Sequence, residues 1–211
     1  MIGDSARRNP RTFSPGFSLM ELLVVMGIFS TVVVSASDIF IAANRAQRKI
    51  SALERLQADA RFTLEAVTRE VRGGSIDWTY YAGQSLSLDA SVEVLALRDS
   101  TNAPIVFHKS DAANATYCPD AASTPCLLMT LGTVGVDPPA PLTPKGESVQ
   151  NVKFYVAPSA DPSSFNAATG VYASDLQPRV TAVLVLKSTE RIVEGAVVYI
   201  QTTASSRWYP R

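Results

Sequence analysis

The chain has 211 residues, 46% apolar and 18% charged, with 19 basic side chains against 19 acidic ones. That length suits one domain or a smaller one with an appendage; the apolar share excludes a disordered chain, and zero net charge argues against a dedicated nucleic-acid binder. A single histidine (His108) and two cysteines exclude multi-histidine zinc sites, four-thiolate metal sites and a disulfide scaffold.

Residues 1–16 form a short polar leader, with Arg7, Arg8 and Arg11 against Asp4. Residues 17–37 follow as an apolar run whose single charge is Glu21. As a helix the run is roughly 30 Å long, about the thickness of the hydrocarbon core of a bilayer. Its Leu, Ile, Phe and Val residues favour insertion by roughly 3–6 kcal/mol in all. Glu21 opposes insertion from one end of the run, where the penalty is smaller. Three readings stay open on these grounds. The run is a plain membrane anchor, a secretory signal peptide cut after Ala36 at Val34-Ser35-Ala36, or a segment trimmed by a dedicated peptidase. The carboxylate inside the run and the run's length stand against the signal peptide.

The third reading rests on particular residues. Gly16-Phe17-Ser18-Leu19-Met20-Glu21-Leu22-Leu23-Val24-Val25 closely resembles the prepilin cleavage and methylation motif of type IV pilins and type II secretion pseudopilins. The motif and its helix cover roughly a quarter of the chain. In that family the bond after the glycine is cut by an inner-membrane prepilin peptidase. The new first residue is N-methylated, and the fifth residue of the mature chain is glutamate. The resemblance therefore implies cleavage between Gly16 and Phe17, methylation at Phe17, and an assembly role for Glu21, whose carboxylate would meet the N-terminal amine of a neighbouring subunit. The chemistry suits the residue types. Glycine lets a protease approach the backbone closely, and an intramembrane carboxylate is a functional candidate by default. The plain alternative is a glutamate tolerated in the first turn by the helix dipole.

Orientation does not follow from charge. Arg45, Arg48, Lys49 and Arg55 follow the span as closely as three arginines precede it, so the positive-inside rule is indecisive. The resemblance implies a single pass through the bacterial inner membrane, with the N-terminus in the cytoplasm and the head outside.

Residues 38–72 predict a continuing, amphipathic half of the same helix. No proline occurs between Pro15 and Pro104, and no glycine between Gly27 and Gly73. Ala46, Leu53, Ala60 and Val67 make one apolar row, and Ile50, Leu64 and Val71 a second, interrupted by Gln57. That stripe is expected against a sheet or another helix. Arg48, Arg55, Arg61, Glu65, Arg69 and Glu70 are expected on the solvent side, with Glu65 and Arg69 as an i,i+4 pair. Gly73-Gly74 ends the helix, which from Phe17 to Arg72 would be roughly 84 Å long.

From Gly73 to the C-terminus a β-rich head is expected, large enough for one core. Candidate strands are Trp78–Tyr81, Val92–Leu97, Ile105–His108, Leu127–Leu131, Val149–Val156, Val180–Lys187 and Ile192–Thr202. Val152, Phe154 and Val156 alternate with Lys153 and Tyr155, as in a strand with one buried face. The last two strands predict a hairpin. The fold class expected is α+β, the helix packed on a mostly antiparallel sheet; the resemblance implies a pilin-like fold. Residues 98–148, rich in proline, and the stretch from Pro158 to Gly170 are expected to be irregular. With the head exported, Cys118 and Cys126 are expected to pair.

Catalytic patterns are missing: no G-x-S-x-G, no P-loop and no dinucleotide fingerprint. His108 at a strand end reads as structural or exposed. Asp161 and Asn166 offer oxygen ligands in one segment without EF-hand spacing. Some pseudopilins bind calcium, but no ligand residue carries over, and neither a metal nor a cofactor is expected. Trp78, Tyr80 and Tyr81 near Arg72 could stack on a nucleobase, but a strand packed on the helix explains them more simply, and no nucleic-acid partner is expected.

Within the family, Arg61-Phe62-Thr63-Leu64-Glu65-Ala66-Val67-Thr68-Arg69-Glu70-Val71-Arg72 is similar to the end of the stalk in minor pilins of the PilW kind and the J-type minor pseudopilin. The tail Gln201-Thr202-Thr203-Ala204-Ser205-Ser206-Arg207 is similar to prepilin-like proteins. Major pilins often carry a proline partway along the stalk, and this chain has none there. The resemblance thus implies a minor, non-enzymatic structural subunit at or near a filament tip. Its implied partners are the prepilin peptidase/methyltransferase, other major and minor pilins or pseudopilins, the inner-membrane assembly platform, and membrane lipid before assembly. The alternative is a membrane-anchored or secreted binding module or adhesin with an ordinary signal peptide.

Overall fold

The computed structural model of the chain describes residues 16–84, 90–120, 124–189 and 195–207. The first half holds α1 (Leu19–Gly73), β1 (Ser75–Ile76), α2 (Trp78–Gly83), β2 (Val94–Arg98) and β3 (Pro104–Lys109). A 3-10 turn at Ala115–Tyr117 precedes β4 (Leu127–Leu131), β5 (Ala140–Pro141) and β6 (Glu147–Ala157). Then come β7 (Phe165–Asn166), β8 (Val171–Tyr172), β9 (Arg179–Ser188) and β10 (Val197–Ser205). Contacts divide the chain into two compact units, Met1–Ala46 and Gln47–Arg211.

In the second unit the last turns of α1 pack on antiparallel sheet, an α+β arrangement. The expected stripe is buried only from about Leu53 onward. Leu56, Ala60, Thr63, Leu64, Val67 and Val71 are buried and Leu53 is half-buried, whereas Ile50 is 56% exposed. Ala46, in the first unit, is exposed as well. The periodic pattern thus extends past the part of the helix that the sheets cover. Leu56 and Thr63 join the buried face because 3.6 residues per turn rotate the face relative to a strict seven-residue row. Arg69 meets Glu70 at 3.2 Å rather than the expected Glu65.

Two sheets cover that face. Five strands run in the order β1-β2-β3-β4-β5 and three in the order β10-β9-β6, every neighbour antiparallel. The sheets are joined at Val92 and Phe154, whose backbone N–H and C=O groups exchange two hydrogen bonds of 2.8 Å. Strand β9 buries Val180, Ala182, Leu184 and Leu186 in strict alternation, and β6 buries Val152, Phe154 and Val156. A register shift between Val149 and Asn151 interrupts β6, and before it Glu147, Ser148 and Val149 are all buried. The expected hairpin of the last two strands is present as β9 and β10, although Ile192 itself lies outside the described residues.

One expected strand is a helix. Trp78–Tyr81 lies in α2, started by Asp77, whose carboxylate accepts from the Tyr80 N–H at 3.1 Å. An Asp cap satisfies a helix N–H that a strand would not leave free, and it overrides the β preference of the aromatic residues. The two-residue strands β1, β5, β7 and β8 were not expected; each depends on its partner strand rather than on a local pattern.

Gly73 ends α1 as expected, and Gly74 starts the return. A Cβ on Gly74 would collide with the backbone oxygen of Arg98. The chain's far end is fastened here as well: Ser206 Oγ donates to the Gly74 oxygen at 2.6 Å, and the Arg207 N–H to the Arg72 oxygen at 3.3 Å. Gly74→Ala should therefore cost about 1–3 kcal/mol by overpacking. Gly83→Ala, where an added methyl meets nothing, should shift stability by no more than about 0.5 kcal/mol. Urea midpoints of the two variants check both.

Candidate functional site

Gly16, Phe17 and Glu21 lie at the start of α1, in the first unit. Gly16, Phe17 and Ser18 are non-helical and exposed, Phe17 at 83%. The peptide bond between Gly16 and Phe17 therefore lies outside the helix. Helix α1 begins at Leu19. Ser18 Oγ accepts from the Glu21 N–H at 3.2 Å, and the Ser18 carbonyl accepts from the Leu22 N–H at 3.2 Å. Ser18 is thus the cap of the helix, with Glu21 at its third position. This is the S-x-x-E spacing of a capping box, a role legible in the sequence that the motif reading passed over. Glu21 lies in the first turn, where the helix dipole favours a carboxylate.

The stretch after Glu21 is long and apolar enough to cross a membrane, and none of its most apolar window is buried within the chain. Its hydroxyls are satisfied without water. Ser30 donates to the Met26 oxygen at 2.7 Å, Ser35 to Thr31 at 2.9 Å and Ser37 to Val33 at 2.8 Å. Such back-bonding is how Ser and Thr are accommodated in apolar surroundings. Ala36, after which a signal peptidase would cut, lies inside the continuous helix.

The second unit contains the remaining candidates. Cys118 and Cys126 are joined by a disulfide, Cα atoms 5.7 Å apart. The bridge is anchored to the sheet by Ser110, whose N–H donates to the Cys126 oxygen at 2.9 Å and whose Oγ accepts from the Cys126 N–H at 3.0 Å. His108 pairs its Nδ1 with the Lys109 oxygen at 3.2 Å. Asp161 and Asn166 each hold their own turn: Asp161 Oδ1 accepts from Ser163, and Asn166 Oδ1 from Ala168. Among the described residues, no three His, Cys, Asp or Glu side chains gather closely enough to hold a metal ion. Tyr81 is buried; its hydroxyl accepts from the Ala96 N–H at 2.9 Å and donates to the Val94 oxygen at 3.3 Å. Burial pushes its phenol well above the usual range. These bonds tie α2 to β2 and leave Tyr81 no face for a base.

No family model matches this chain, and no curated protein or solved structure matches it either.

Sequence reasoning gave no weight to two buried carboxylates. Asp77 is held by the Arg98 guanidinium at 2.9 Å. Glu147, only 5% exposed, finds no donor for either oxygen among the described residues. Its carboxyl faces Asp59 of α1, and a hydrogen bond between the two forms only when one carries a proton. Burial first, then Asp59, push Glu147 up to about 8, against a smaller opposing pull from Arg55. Lys145 and Ser188 border the same spot.

Two predictions follow from these groups. The folded carboxyl of Glu147 titrates above its unfolded value, so its contribution to stability is complete below the unfolded carboxyl range. It is lost progressively as pH rises through about 8. Glu147→Gln should flatten that decline; urea midpoints measured across the range check it. Replacing Cys118 and Cys126 by serine should cost about 2–3 kcal/mol. Reduction of the wild-type chain should give a loss of the same size.

Proposed function

We propose that the chain is a minor pilin or pseudopilin, cleaved after Gly16, methylated at Phe17, and assembled into a filament through α1. The observation that carries this reading is the arrangement at the start of α1. An exposed, non-helical Gly16-Phe17 bond stands two residues before a capped helix, whose first turn holds Glu21 and whose next turns are apolar.

The physics of that arrangement suits a subunit that moves from lipid to filament. A carboxylate in the membrane is costly unless it is paired or stays near the interface. Cleavage after Gly16 would create a positive amine at Phe17. Docking Glu21 against the amine of a neighbour would cancel both charges and match subunits in register. The apolar residues from Leu22 to Ser37 would exchange lipid for neighbouring helices. An ordinary signal peptidase is less well served, because its bond after Ala36 is held in helix. The α+β head, a helix face covered by antiparallel sheet, is compatible with a pilin-like fold. In this reading the protein is itself a substrate of the prepilin peptidase, not an enzyme.

The test is the intact mass and N-terminal sequence of the chain from its native membrane fraction. A chain starting at Phe17 and heavier by one methyl group is expected. A start at Ser37, or an uncut chain in cells with an active prepilin peptidase, overturns the proposal. Glu21→Ala should insert and be cleaved normally but reduce incorporation into sheared filaments by at least about tenfold, the effect of losing a charge pair of ~1.4 kcal/mol.

A further inference from the structure

A cleft of about 290 Å³ opens where the start of α2, the β2–β3 turn and the segment Asp161–Ser163 meet. That is the lower end of the size of small-ligand sites. It lies wholly in the second unit and does not depend on the filament reading.

The inner wall of the cleft is saturated. Asp77, 5% exposed, gives Oδ1 to the Tyr80 N–H and the Thr79 hydroxyl, and Oδ2 to Arg98. Arg98 also donates to Thr79 Oγ1 at 3.3 Å and to the Asn102 oxygen at 3.2 Å. The outer wall is not saturated. Among the described residues, no hydrogen bond engages the indole N–H of half-buried Trp78, the side-chain amide of Asn102 or Oδ2 of Asp161.

These unspent groups sit on fixed backbone. Asn102 adopts a left-handed conformation, φ 67°, at a turn braced by Asp99. Asp99 Oδ1 accepts from the Thr101 N–H, the Thr101 hydroxyl and the Ala103 N–H at 2.7–2.8 Å. These bonds hold the Asp99 carboxyl below its usual range, the Thr101 hydroxyl contributing most. Asp161 is held by Ser163, whose N–H and hydroxyl donate to Oδ1 at 2.9 and 2.7 Å. Preorganised polar groups of this kind bind without a large ordering cost.

We propose that this cleft binds a neutral monosaccharide unit of a glycan. Charge selects against anions: Asp77 and Arg98 cancel, and Asp161 leaves one negative charge. The free groups are one acceptor, one donor and one amide that serves as both, which suits a set of hydroxyls. Trp78, Ile76 and Pro162 add apolar wall. A pyranose ring presents that combination, a hydroxyl rim around apolar C–H faces, at a volume the cleft holds.

The experiment uses the full chain in a detergent without a sugar headgroup. The indole N–H resonance of Trp78, assigned with Trp78→Phe, is followed during titration with methyl glycosides of glucose, galactose, mannose and N-acetylglucosamine. At least one is expected to shift it saturably, in the millimolar range typical of a single weak site. Asn102→Gly keeps the left-handed backbone and removes the amide; Asp161→Asn removes the charge. Each is expected to weaken binding about tenfold, while the Ala96 amide resonance, bonded to Tyr81, stays in place as the control for folding. The proposal is overturned if no glycoside moves Trp78, or if both variants bind as the parent does. A shift produced by an N-acetyl-lysine amide and by none of the glycosides assigns the cleft to a cationic side chain and overturns it as well.

Discussion

The apolar face of α1 between Leu53 and Val71 has to be covered, and the architecture of the head follows from how that is done. Each large side chain on it gains roughly 1.5–3 kcal/mol on full burial, but a single helix buries none of it alone. Ala60, wholly buried in the middle of the face, leaves room for backbone to come close. Thr63, the polar member, donates its hydroxyl to the Asp59 oxygen at 2.9 Å and so carries no unsatisfied donor into the core. Neither sheet covers the face by itself. The hydrogen-bonded contact of Val92 with Phe154 makes one core of the two.

The interior handles its carboxylates in two ways. Asp77 is fully engaged, by Arg98 and by the cap of α2. Removing Arg98 would strand a charge, which is the costly direction for a buried pair. Glu147 finds no hydrogen-bond donor among the described residues, and burial beside Asp59 raises its carboxyl well above the usual range. One arrangement fixes a corner of the head, and the other ties α1 to the start of β6 in a manner that depends on pH.

Much of this fold is legible in the residues. The Gly73-Gly74 pair marks the end of α1, the alternation in β6 and β9 marks their buried faces, and the two cysteines in one loop are joined. Trp78–Tyr81 misleads because aromatic residues favour strands, while the signal that decides is one residue earlier, at Asp77. Ala46 and Ile50 mislead because periodicity reports what a helix could bury, not how far its cover extends. The Gly-Phe-x-x-x-Glu motif is plain in the sequence; the Ser18 cap is there too, in the same six residues. Glu147 was not legible, since its burial and its meeting with Asp59 depend on a register shift in β6 and on a residue almost ninety positions away in the chain. The cleft beside Arg98 assembles from three distant segments, none of which carries a motif.

The bond from Ser206 to Gly74 spans 132 residues of sequence. It fastens β10 to the end of α1, so this closure forms only after β10 has been made. Until β9 and β10 arrive, the face of α1 from Leu56 to Val71 stands without part of its cover. The order of synthesis is therefore opposed to the order of burial: α1 is made well before the strands that enclose it. Contacts of such long range slow folding, and an exposed apolar face in the meantime invites association with other chains. The timing of folding, as well as final stability, therefore bears on how safely this chain reaches its structure.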